Sequence, residues 1–297
     1  MKQILKTYLE HICGVENVFE DLPLSQKTTF KIGGPAKFFV VAQSKEILFK
    51  LISALKYIEE KFFIIGNGSN LLVNDKGYDG VVVRLGFNEV IDNGPFIYAD
   101  AGVHLAKVAA FAKGKELTGL EWTVGIPATI GGATYMNAGA HGMQMADTIV
   151  CVDVIIDGEL KTLMNTQLKF AYRKSIFQKK KNWIILGVYF YLKKDKKTSI
   201  EKREKEFKKK RAHHPIEPSA GSTFKRPTED FYVGKAIDEL GMKGLKIGAA
   251  QISEKHAGFI VNKGSATCRD VDKLIKQIRS EILREHNIKL KLEYERI

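Results

Sequence analysis

The chain has 297 residues, which is enough for about two domains. Its 44% of hydrophobic and 27% of charged residues are typical of a soluble globular protein and exclude a disordered or fibrous one. No apolar run approaches the ~20 residues of a membrane span, and the N-terminal segment lacks the apolar core of a signal peptide. The three cysteines are far apart and form no C-x-x-C pattern. We therefore expect a cytoplasmic protein with no membrane association and no metal site.

Over half of the net charge of +13 lies in one segment, Lys193–Arg211. This segment holds eleven basic and four acidic residues, and it places Glu and Lys four positions apart, as in Glu201 and Lys205. Such pairs are typical of a solvated helix face. A nucleic-acid-binding arm is the alternative, but the segment lacks the interleaved aromatic residues of such an arm. We therefore expect a charged helix that links two domains, and no nucleic-acid partner.

The apolar spacing along the chain predicts helices and strands of ordinary length. Ser44 is the predicted N-cap of the second helix, and Thr267 with Asp270 predicts a capping box on the last. Asp157-Gly158 between two apolar runs predicts a hairpin with a type I′ turn. In chain order, the predicted helices are 1–15, 45–60, 104–115, 199–211, 233–240 and the segment after Thr267. The predicted strands are 37–42, 62–65, 71–73, 81–85, 96–101, 149–156, 159–163, 183–191, two halves of 246–262, and 288–297.

Two glycine-rich stretches interrupt this pattern, GNGSN at 66–70 and GLEWTVGIPATIGGATYMNAGA at 119–140. Where side chains are missing, backbone N–H groups can approach an anion closely, and Ser69 and Asn70 add side-chain donors. The alternative is a compact Gly/Pro corner between strands. GNGSN precedes a strand-like LLV rather than a helix, so it is not the dinucleotide fingerprint, and no P-loop motif is present. We therefore expect phosphate binding by loops at strand ends.

With three further motifs, YRKS at 172–175, SAGSTFKRP at 219–227 and SEKHAGFIVN at 253–262, the chain resembles the UDP-N-acetylenolpyruvoylglucosamine reductase family. The resemblance runs from about Thr28 to Glu293. It implies an α+β protein with a two-lobed FAD-binding region of the vanillyl-alcohol-oxidase (PCMH) type and a C-terminal α/β substrate-binding domain. The implied boundaries are 1–198 for the first region, with lobes of about 1–68 and 69–198, then 199–288 for the substrate domain, and 289–297 for a strand carrying a catalytic Glu.

The resemblance also implies the cofactors and the reaction. NADPH reduces a non-covalently bound FAD, and the reduced flavin reduces UDP-N-acetylglucosamine enolpyruvate to UDP-N-acetylmuramate, a peptidoglycan precursor. The protein is expected to act as a monomer. The implied cofactor-binding residues lie in the two glycine-rich stretches: Gly66, Asn67, Gly68, Ser69, Asn70, Gly125, Ile126, Pro127, Thr129, Gly131, Gly132, Ala133, Asn137 and Ala138.

Three catalytic residues carry over by motif. Ser222 matches the serine that donates a proton to C2 of the substrate, and Arg173 and Glu293 match the pair beside the substrate carboxylate. Reduction at C3 places negative charge on C2 and the carboxylate, which needs hydrogen-bonding or positive partners. A serine hydroxyl is a weak acid, but such a carbanion is basic enough to take its proton. The implied substrate-binding residues are Tyr172, Lys225, Arg226 and His256, and the two basic residues suit the UDP diphosphate.

Each catalytic candidate, taken alone, also fits an ordinary role: Ser222 a turn or cap, Arg173 a surface ion pair, Glu293 an exposed strand carboxylate. The chain departs from the family at GIPA, which the family usually has as GIPG, and at LKLEYERI, which lacks the usual proline and leaves Glu295 as the alternative to Glu293. His213-His214 stands where the family often has a lysine. The short connection after Tyr191 indicates the shorter class of the family.

Two other hypotheses are an oxidase with flavin attached to a residue such as His104, and a nucleic-acid-binding protein.

Overall fold

The computed structural model describes residues 2–297 and contains both helices and strands, as the α+β prediction requires. The helices are α1 Lys2–Cys13, α2 Lys45–Tyr57, α3 Leu105–Gly114, α4 Ile130–Tyr135, α5 Lys197–Lys210, α6 Val233–Glu239 and α7 Cys268–His286. Two predicted N-caps are confirmed. The Ser44 side chain accepts a hydrogen bond from the N–H of Ile47, and Thr267 and Asp270 form the capping box of α7.

The strands are short, and most lie where the alternation of apolar residues predicts them. They are β1 Val18–Pro23, β2 Pro35–Ala42, β3 Phe62–Ile65, β4 Leu71–Leu72, β5 Tyr78–Leu85, β6 Val90–Asn93, β7 Phe96–Asp100, β8 Leu117–Thr118, β9 Gly139–Ala140, β10 Met143–Gln144, β11 Ile149–Ile156, β12 Glu159–Met164, β13 Ile184–Tyr191, β14 Lys193–Lys194, β15 Lys246–Ile247, β16 Ala250–Ile252, β17 Ile260–Asn262 and β18 Glu295–Arg296.

The chain divides into two compact units, each with its own hydrophobic core. Unit 1 contains 1–19, 38–66 and 80–212, and unit 2 contains 20–37, 67–79 and 213–297. Among residues 2–297, no helix has the length and apolar character that crossing a membrane requires.

The larger sheet of unit 1 is antiparallel, with the strand order β12-β11-β13-β7-β6. Its first hairpin turns at Asp157 and Gly158, which have φ of 51° and 87°. Both residues lie in the left-handed region that a type I′ turn requires, so the predicted hairpin is confirmed. A second sheet has the order β1-β2-β5-β3, in which β3 and β5 are parallel.

The charged helix α5 is fastened to unit 1 by a buried carboxylate. Glu121 is only 5% exposed and accepts hydrogen bonds from the Thr118 hydroxyl at 2.6 Å, the Gly119 N–H at 2.7 Å and Arg203 Nε at 2.9 Å. A second ion pair joins Lys113 of α3 to Glu204 at 2.7 Å. The sequence predicts a linker at this helix, but these bonds place all of α5 in unit 1.

We expect Glu121→Ala to lower the free energy of unfolding by about 3 kcal/mol, because it leaves three buried or half-buried donors without their acceptor. Burial raises the pKa of Glu121, but its hydrogen bonds, including those from Thr118, Gly119 and Arg203, outweigh burial and lower the pKa overall. The stabilisation is therefore present at neutral pH and is lost as the pH falls through the folded-state pKa. Urea unfolding at pH 7 and in acid measures both effects. Glu204→Ala on the same helix is the control, with an expected cost of about 0.5 kcal/mol; equal costs would contradict the role of Glu121.

Unit 2 is built around α7, which packs against β15, β16 and α6. The three-stranded antiparallel sheet β15-β16-β17 and the buried face of α7 both contribute to its core. The carboxylate of Asp75 accepts hydrogen bonds from the N–H groups of Cys268 and Arg269 at 2.7 and 3.1 Å, so it caps the first turn of α7. Phe30 packs edge-on against Tyr294 with ring centroids 5.8 Å apart, which holds the C-terminal tail in this core.

The structure differs from the predicted elements in four respects. The tail 288–297 is a strand only at β18, which pairs in parallel with β4, because its other residues have only isolated bridges. The segment 246–262 contains three strands rather than two halves. Strands β1, β6, β8, β9, β10 and β14 were not predicted. The second glycine-rich stretch contains the six-residue helix α4, which glycines at 131 and 132 conceal in the sequence.

Candidate functional site

The two glycine-rich stretches meet inside unit 1 at Gly66 and Thr129. A Cβ added to Gly66 would lie 2.5 Å from Thr129 Oγ1, so only glycine fits there. The Thr129 side chain is 3% exposed and accepts a hydrogen bond from the N–H of Gly132 at 3.3 Å, which caps α4. The end of β3 and the start of α4 therefore approach each other closely, with the Gly66 backbone lying against the Thr129 side chain.

The hydrogen bonds of α4 decide which amides of this stretch can serve a ligand. The N–H of Ile130 donates to Val103 O at 2.8 Å, and the N–H of Gly131 donates to Ala101 O at 2.9 Å. The N–H groups of Gly132 and Ala133 both donate to Thr129, the first to its side chain and the second to its carbonyl. In the internal hydrogen bonds of residues 2–297, the N–H groups of Gly125 and Thr129 have no acceptor. These two amides are therefore candidates for a bond to an external anion.

Arg211 lies beside Gly125, and it is not among the site residues predicted from the sequence. Its Nη2 donates to the Gly125 carbonyl at 3.3 Å, and a Cβ on Gly125 would lie 3.2 Å from its Nε. Gly125 has φ of 74°, so glycine is also required for the backbone. Burial lowers the pKa of the Arg211 guanidinium, which is the only cause of the shift. In the sequence, Arg211 is one of eleven basic residues in a charged run, and nothing distinguishes it.

Asn137 is fully buried and every polar atom of its side chain is engaged within the protein. Its Nδ2 donates to Gln144 Oε1 at 2.8 Å and to Ala171 O at 3.0 Å, and its Oδ1 accepts from the N–H of Ala146 at 3.0 Å. The side chain therefore holds three loops together. One buried hydroxyl nearby, Thr134 Oγ1, has no hydrogen-bond partner among the described residues.

Tyr172 and Arg173 form the tip of a tight turn. The N–H groups of Ala171 and Lys174 each donate to the other's carbonyl, at 3.1 and 3.0 Å. Arg173 has φ of 53°, a left-handed conformation that non-glycine residues seldom adopt and that is often found at functional sites. Its Nη2 donates to Gly139 O at 2.7 Å, and its guanidinium lies 5.1 Å from the centroid of the Tyr172 ring. The turn therefore presents a positioned cation against the second glycine-rich stretch.

In unit 2, the last residue of GNGSN, Asn70, contacts the C-terminal tail. Asn70 Nδ2 donates to Glu293 O at 3.0 Å, and Asn70 O accepts from the N–H of Glu295 at 2.9 Å. Gly68 has φ of 60°, and its carbonyl accepts from the N–H of Thr29 at 3.4 Å. Asn70 thus fixes the main chain on both sides of Tyr294.

Ser222 lies in an extended segment of unit 2 that has a partner chain on each side. Ser222 forms a bridge with Phe259, the N–H of Thr223 donates to Gly258 O at 2.9 Å, and the N–H of Glu293 donates to Thr223 O at 3.0 Å. The Thr223 hydroxyl is bonded to the Tyr294 hydroxyl at 2.9 Å. The Ser222 hydroxyl, in contrast, makes no hydrogen bond to any residue of 2–297, so it caps no helix and closes no turn.

The three predicted substrate-binding residues of unit 2 have different environments. Lys225 is held through its main chain, whose N–H donates to Lys291 O at 2.9 Å. Arg226 is exposed, donates to Glu229 O at 3.1 Å and lies over the ring of Tyr232. His256 is half-buried, and burial, with His213 as the next cause, lowers its pKa. Its Nδ1 accepts a hydrogen bond from the N–H of Gly258 at 3.1 Å.

Two family models match the chain. The FAD binding domain matches residues 36–163, and the C-terminal domain of UDP-N-acetylenolpyruvoylglucosamine reductase matches residues 212–297. The first match spans both glycine-rich stretches, and the second spans Ser222 and Glu293.

Curated relatives and a solved structure match nearly the whole chain. The UDP-N-acetylenolpyruvoylglucosamine reductase of Caldanaerobacter subterraneus subsp. tengcongensis is 42% identical over 294 residues, covering 98% of this chain and 97% of the relative. The UDP-N-acetylenolpyruvoylglucosamine reductase of Pseudothermotoga lettingae is 45% identical over 277 residues, covering 93% of this chain and 96% of the relative. The crystal structure of UDP-N-acetylenolpyruvylglucosamine reductase from Thermus caldophilus superposes with a TM-score of 0.82 at 36% identity, covering 93% of this chain and 98% of that one.

Proposed function

The chain belongs to the UDP-N-acetylenolpyruvoylglucosamine reductase family, and we propose that Ser222, Arg173 and Glu293 carry out its reaction. The enzyme is an FAD-containing oxidoreductase that uses NADPH to reduce UDP-N-acetylglucosamine enolpyruvate to UDP-N-acetylmuramate, a step of peptidoglycan synthesis. The observation that carries this conclusion is the likeness to reductases of this name over at least 93% of the chain in each of these comparisons.

The residues of unit 1 fit FAD. The Gly66 backbone lies against the Thr129 side chain, and the N–H groups of Gly125 and Thr129 have no internal acceptor. A pyrophosphate supplies the acceptors that such amides need. We propose that it is held there, with the positive charge of Arg211 beside it, and that Gly131, Gly132 and Ala133 shape the loop rather than donate to the phosphates.

When bound, FAD supplies the redox chemistry that carries two electrons from NADPH to the enolpyruvyl group. The protein then has to supply a proton at C2 and to stabilise negative charge on C2 and its carboxylate. Ser222 is the proposed proton donor, because its hydroxyl is not committed to any residue of 2–297 while the adjacent Thr223 hydroxyl is. Its chain is bonded to neighbours on both sides, so the hydroxyl is held on a fixed main chain.

Arg173 is the proposed partner of the carboxylate and the developing enolate. Its planar guanidinium can form two parallel hydrogen bonds to a carboxylate, and lysine cannot reproduce them. The turn at Ala171–Lys174 and the bond to Gly139 O hold the side chain in place. Tyr172, 49% exposed at the tip of the same turn, is the proposed neighbour that contacts the substrate.

Glu293 is preferred to Glu295 as the catalytic carboxylate. The main chain of Glu293 is bonded to Thr223, the residue after Ser222, whereas Glu295 belongs to β18, which pairs with β4. We expect Glu293→Gln to lower kcat about 100-fold, because the volume is kept and only the charge and the proton-transfer capacity are lost. Glu295→Gln is the matched control, with an expected change below about twofold. Steady-state kinetics of the two variants decide the assignment, and the opposite order would make Glu295 the catalytic residue.

Arg211→Ala is expected to raise the Kd for FAD about tenfold, since one charge-assisted contact to a phosphate is lost. Lys209→Ala, which removes an exposed charge from the same helix, is the control. Fluorescence titration of the apoprotein with FAD measures both. If the two variants changed the Kd equally, Arg211 would act only through the general positive field of α5.

The reductase reaction itself is tested by colour. The purified protein should be yellow, should bleach with NADPH and should regain its colour when the enolpyruvyl sugar nucleotide is added. A colourless protein that takes up no FAD would overturn the proposal. Mass spectrometry after denaturation tests the alternative of covalently attached flavin. Nucleic-acid affinity that falls steeply as salt rises would support the other alternative, a nucleic-acid-binding protein.

We also propose that the protein acts as a monomer in the cytoplasm. Cys13, Cys151 and Cys268 are all unpaired, which suits a reducing compartment. Sedimentation of the purified protein tests the first part, and cell fractionation tests the second.

A further inference from the structure

Three histidines of unit 2 come together although one of them is more than 40 positions away from the others. Each of His213, His214 and His256 offers one ring nitrogen, and these three atoms all lie within 4.8 Å of one another. The ring centroids are 4.8 Å apart for His213 and His214, 5.3 Å for His213 and His256, and 5.5 Å for His214 and His256. His213 is exposed and the other two are half-buried.

We propose that His213, His214 and His256 bind a divalent transition metal, with zinc as the first choice. Imidazole nitrogens suit zinc, copper and nickel, and three histidines with water in the fourth position form a common zinc site. A triangle with edges of 4.8 Å has its centre about 2.8 Å from each corner, whereas zinc needs about 2.0–2.1 Å to each nitrogen. To close the site, the nitrogens would therefore have to move inward by under about 1 Å, and one ring would also have to rotate.

The packing shows which ring has to move. His213 is stacked on His256 with only 19° between the ring planes, so their in-plane lone pairs do not converge. Because His213 is exposed, it can turn without losing core packing. His214 and His256 are held by the ring of Phe259, whose centroid is 5.1 Å from the first and 4.9 Å from the second. Two ligands are thus fixed and the third is free to rotate onto the metal.

Metal binding carries a local cost at His256. Its Nδ1 accepts the hydrogen bond from Gly258, so the neutral ring carries its proton on Nε2, and either coordination mode breaks that bond. The cost is that of one hydrogen bond, which zinc–imidazole coordination exceeds. Lys243 adds an unfavourable positive charge near His256. The site should therefore be of moderate affinity.

The histidine cluster lies close to the Ser222 segment in the hydrogen-bonded chain, so metal binding could affect the proposed reaction. The N–H of Phe259 donates to His256 O at 3.0 Å, and Phe259 forms the bridge to Ser222. A metal on His256 would thus stiffen the turn that supports the Ser222 segment. Binding itself does not rest on the reductase reaction, and it is measured without substrate or NADPH.

The test is a titration of the full-length, chelator-treated protein with Zn²⁺ by calorimetry, and with Co²⁺ by visible absorption. We expect one Zn²⁺ per chain at micromolar Kd, and a Co²⁺ spectrum of four-coordinate intensity. His213→Gln should weaken Zn²⁺ binding at least about tenfold, because one of three ligands is lost. His11→Gln, at an exposed histidine of α1 in unit 1, is the matched control and should leave the Kd unchanged.

Each outcome of the titrations either supports or overturns the metal site. Absence of Zn²⁺ binding at 100-fold excess over protein, or equal Kd for wild type and His213→Gln, overturns the proposal. His213→Gln alters an exposed side chain and should fold normally, so the test does not depend on His256→Gln remaining folded. A protein that binds Zn²⁺ but not FAD would support the site and contradict the reductase proposal, and the reverse result would do the opposite.

Discussion

Replacing Ser222 by alanine should leave the bleaching of the flavin by NADPH near its normal rate and slow reoxidation by the enolpyruvyl substrate about 10²- to 10⁴-fold. The first half-reaction needs no proton at C2 of the sugar substrate, and the second does. The folded protein should tolerate the change, because the Ser222 hydroxyl bonds to no residue of 2–297 and its main-chain bonds remain. Stopped-flow absorbance of the flavin measures the two half-reactions separately.

Ser219→Ala is the matched control for this experiment. Ser219 lies three residues earlier in the same segment, and the Thr29 hydroxyl donates to its carbonyl rather than to its side chain. Both half-reactions should stay normal in this variant. If Ser222→Ala slowed both half-reactions to the same extent, Ser222 would be a binding or folding residue, and the proton would have to come from another group.

The second large effect is expected at Gly66. Gly66→Ala should raise the Kd for FAD at least about tenfold and lower the free energy of unfolding by about 1–3 kcal/mol. The added methyl carbon would lie 2.5 Å from Thr129 Oγ1, and Thr129 cannot yield without losing its bond to the Gly132 N–H. Both glycine-rich stretches would therefore be pushed apart where the pyrophosphate is proposed to bind. Flavin fluorescence measures binding, and urea unfolding of the apoprotein measures stability.

Gly114→Ala controls for the loss of a glycine. It ends α3, has no atom within 4 Å of an added Cβ, and should leave FAD binding unchanged. The double variant Gly66→Ala/Thr129→Ala removes the clashing hydroxyl, so it should recover part of the affinity if the clash is the cause. Wild-type FAD affinity in Gly66→Ala alone would show that this contact does not shape the cofactor site.

Features set by a few neighbouring residues could be predicted from the sequence. Ser44 and the Thr267–Asp270 box satisfy amides within one helical turn, and the Asp157-Gly158 turn needs only its own two conformations. The family could also be recognised from the sequence, because GNGSN, GIPATIGGATYMNAGA and SAGSTFKRP are specific sequence motifs. None of these requires knowledge of what lies across the fold.

The site was predicted less completely, because its chemistry depends on distant partners. The sequence marks Gly131 and Gly132 as anion-binding candidates, but their amides donate to Ala101 and Thr129, whereas the amides of Gly125 and Thr129 have no internal acceptor. Arg211 is hidden in a basic run until α5 packs on unit 1. The tail 288–297 has the alternation of a strand, yet β18 alone finds a strand partner.

The second glycine-rich stretch shows which features follow from the sequence alone and which depend on the tertiary structure. The sequence by itself determined that the backbone here would be bare and turning, since glycine and proline act through their own covalent geometry. Only the tertiary structure decided which amides remain open and which cation lies beside them, and it alone brought His256 to His213 and His214. Hydrogen-bond partners and neighbouring charges come from segments far apart in the chain, and their proximity results from packing of the whole core rather than from any local preference.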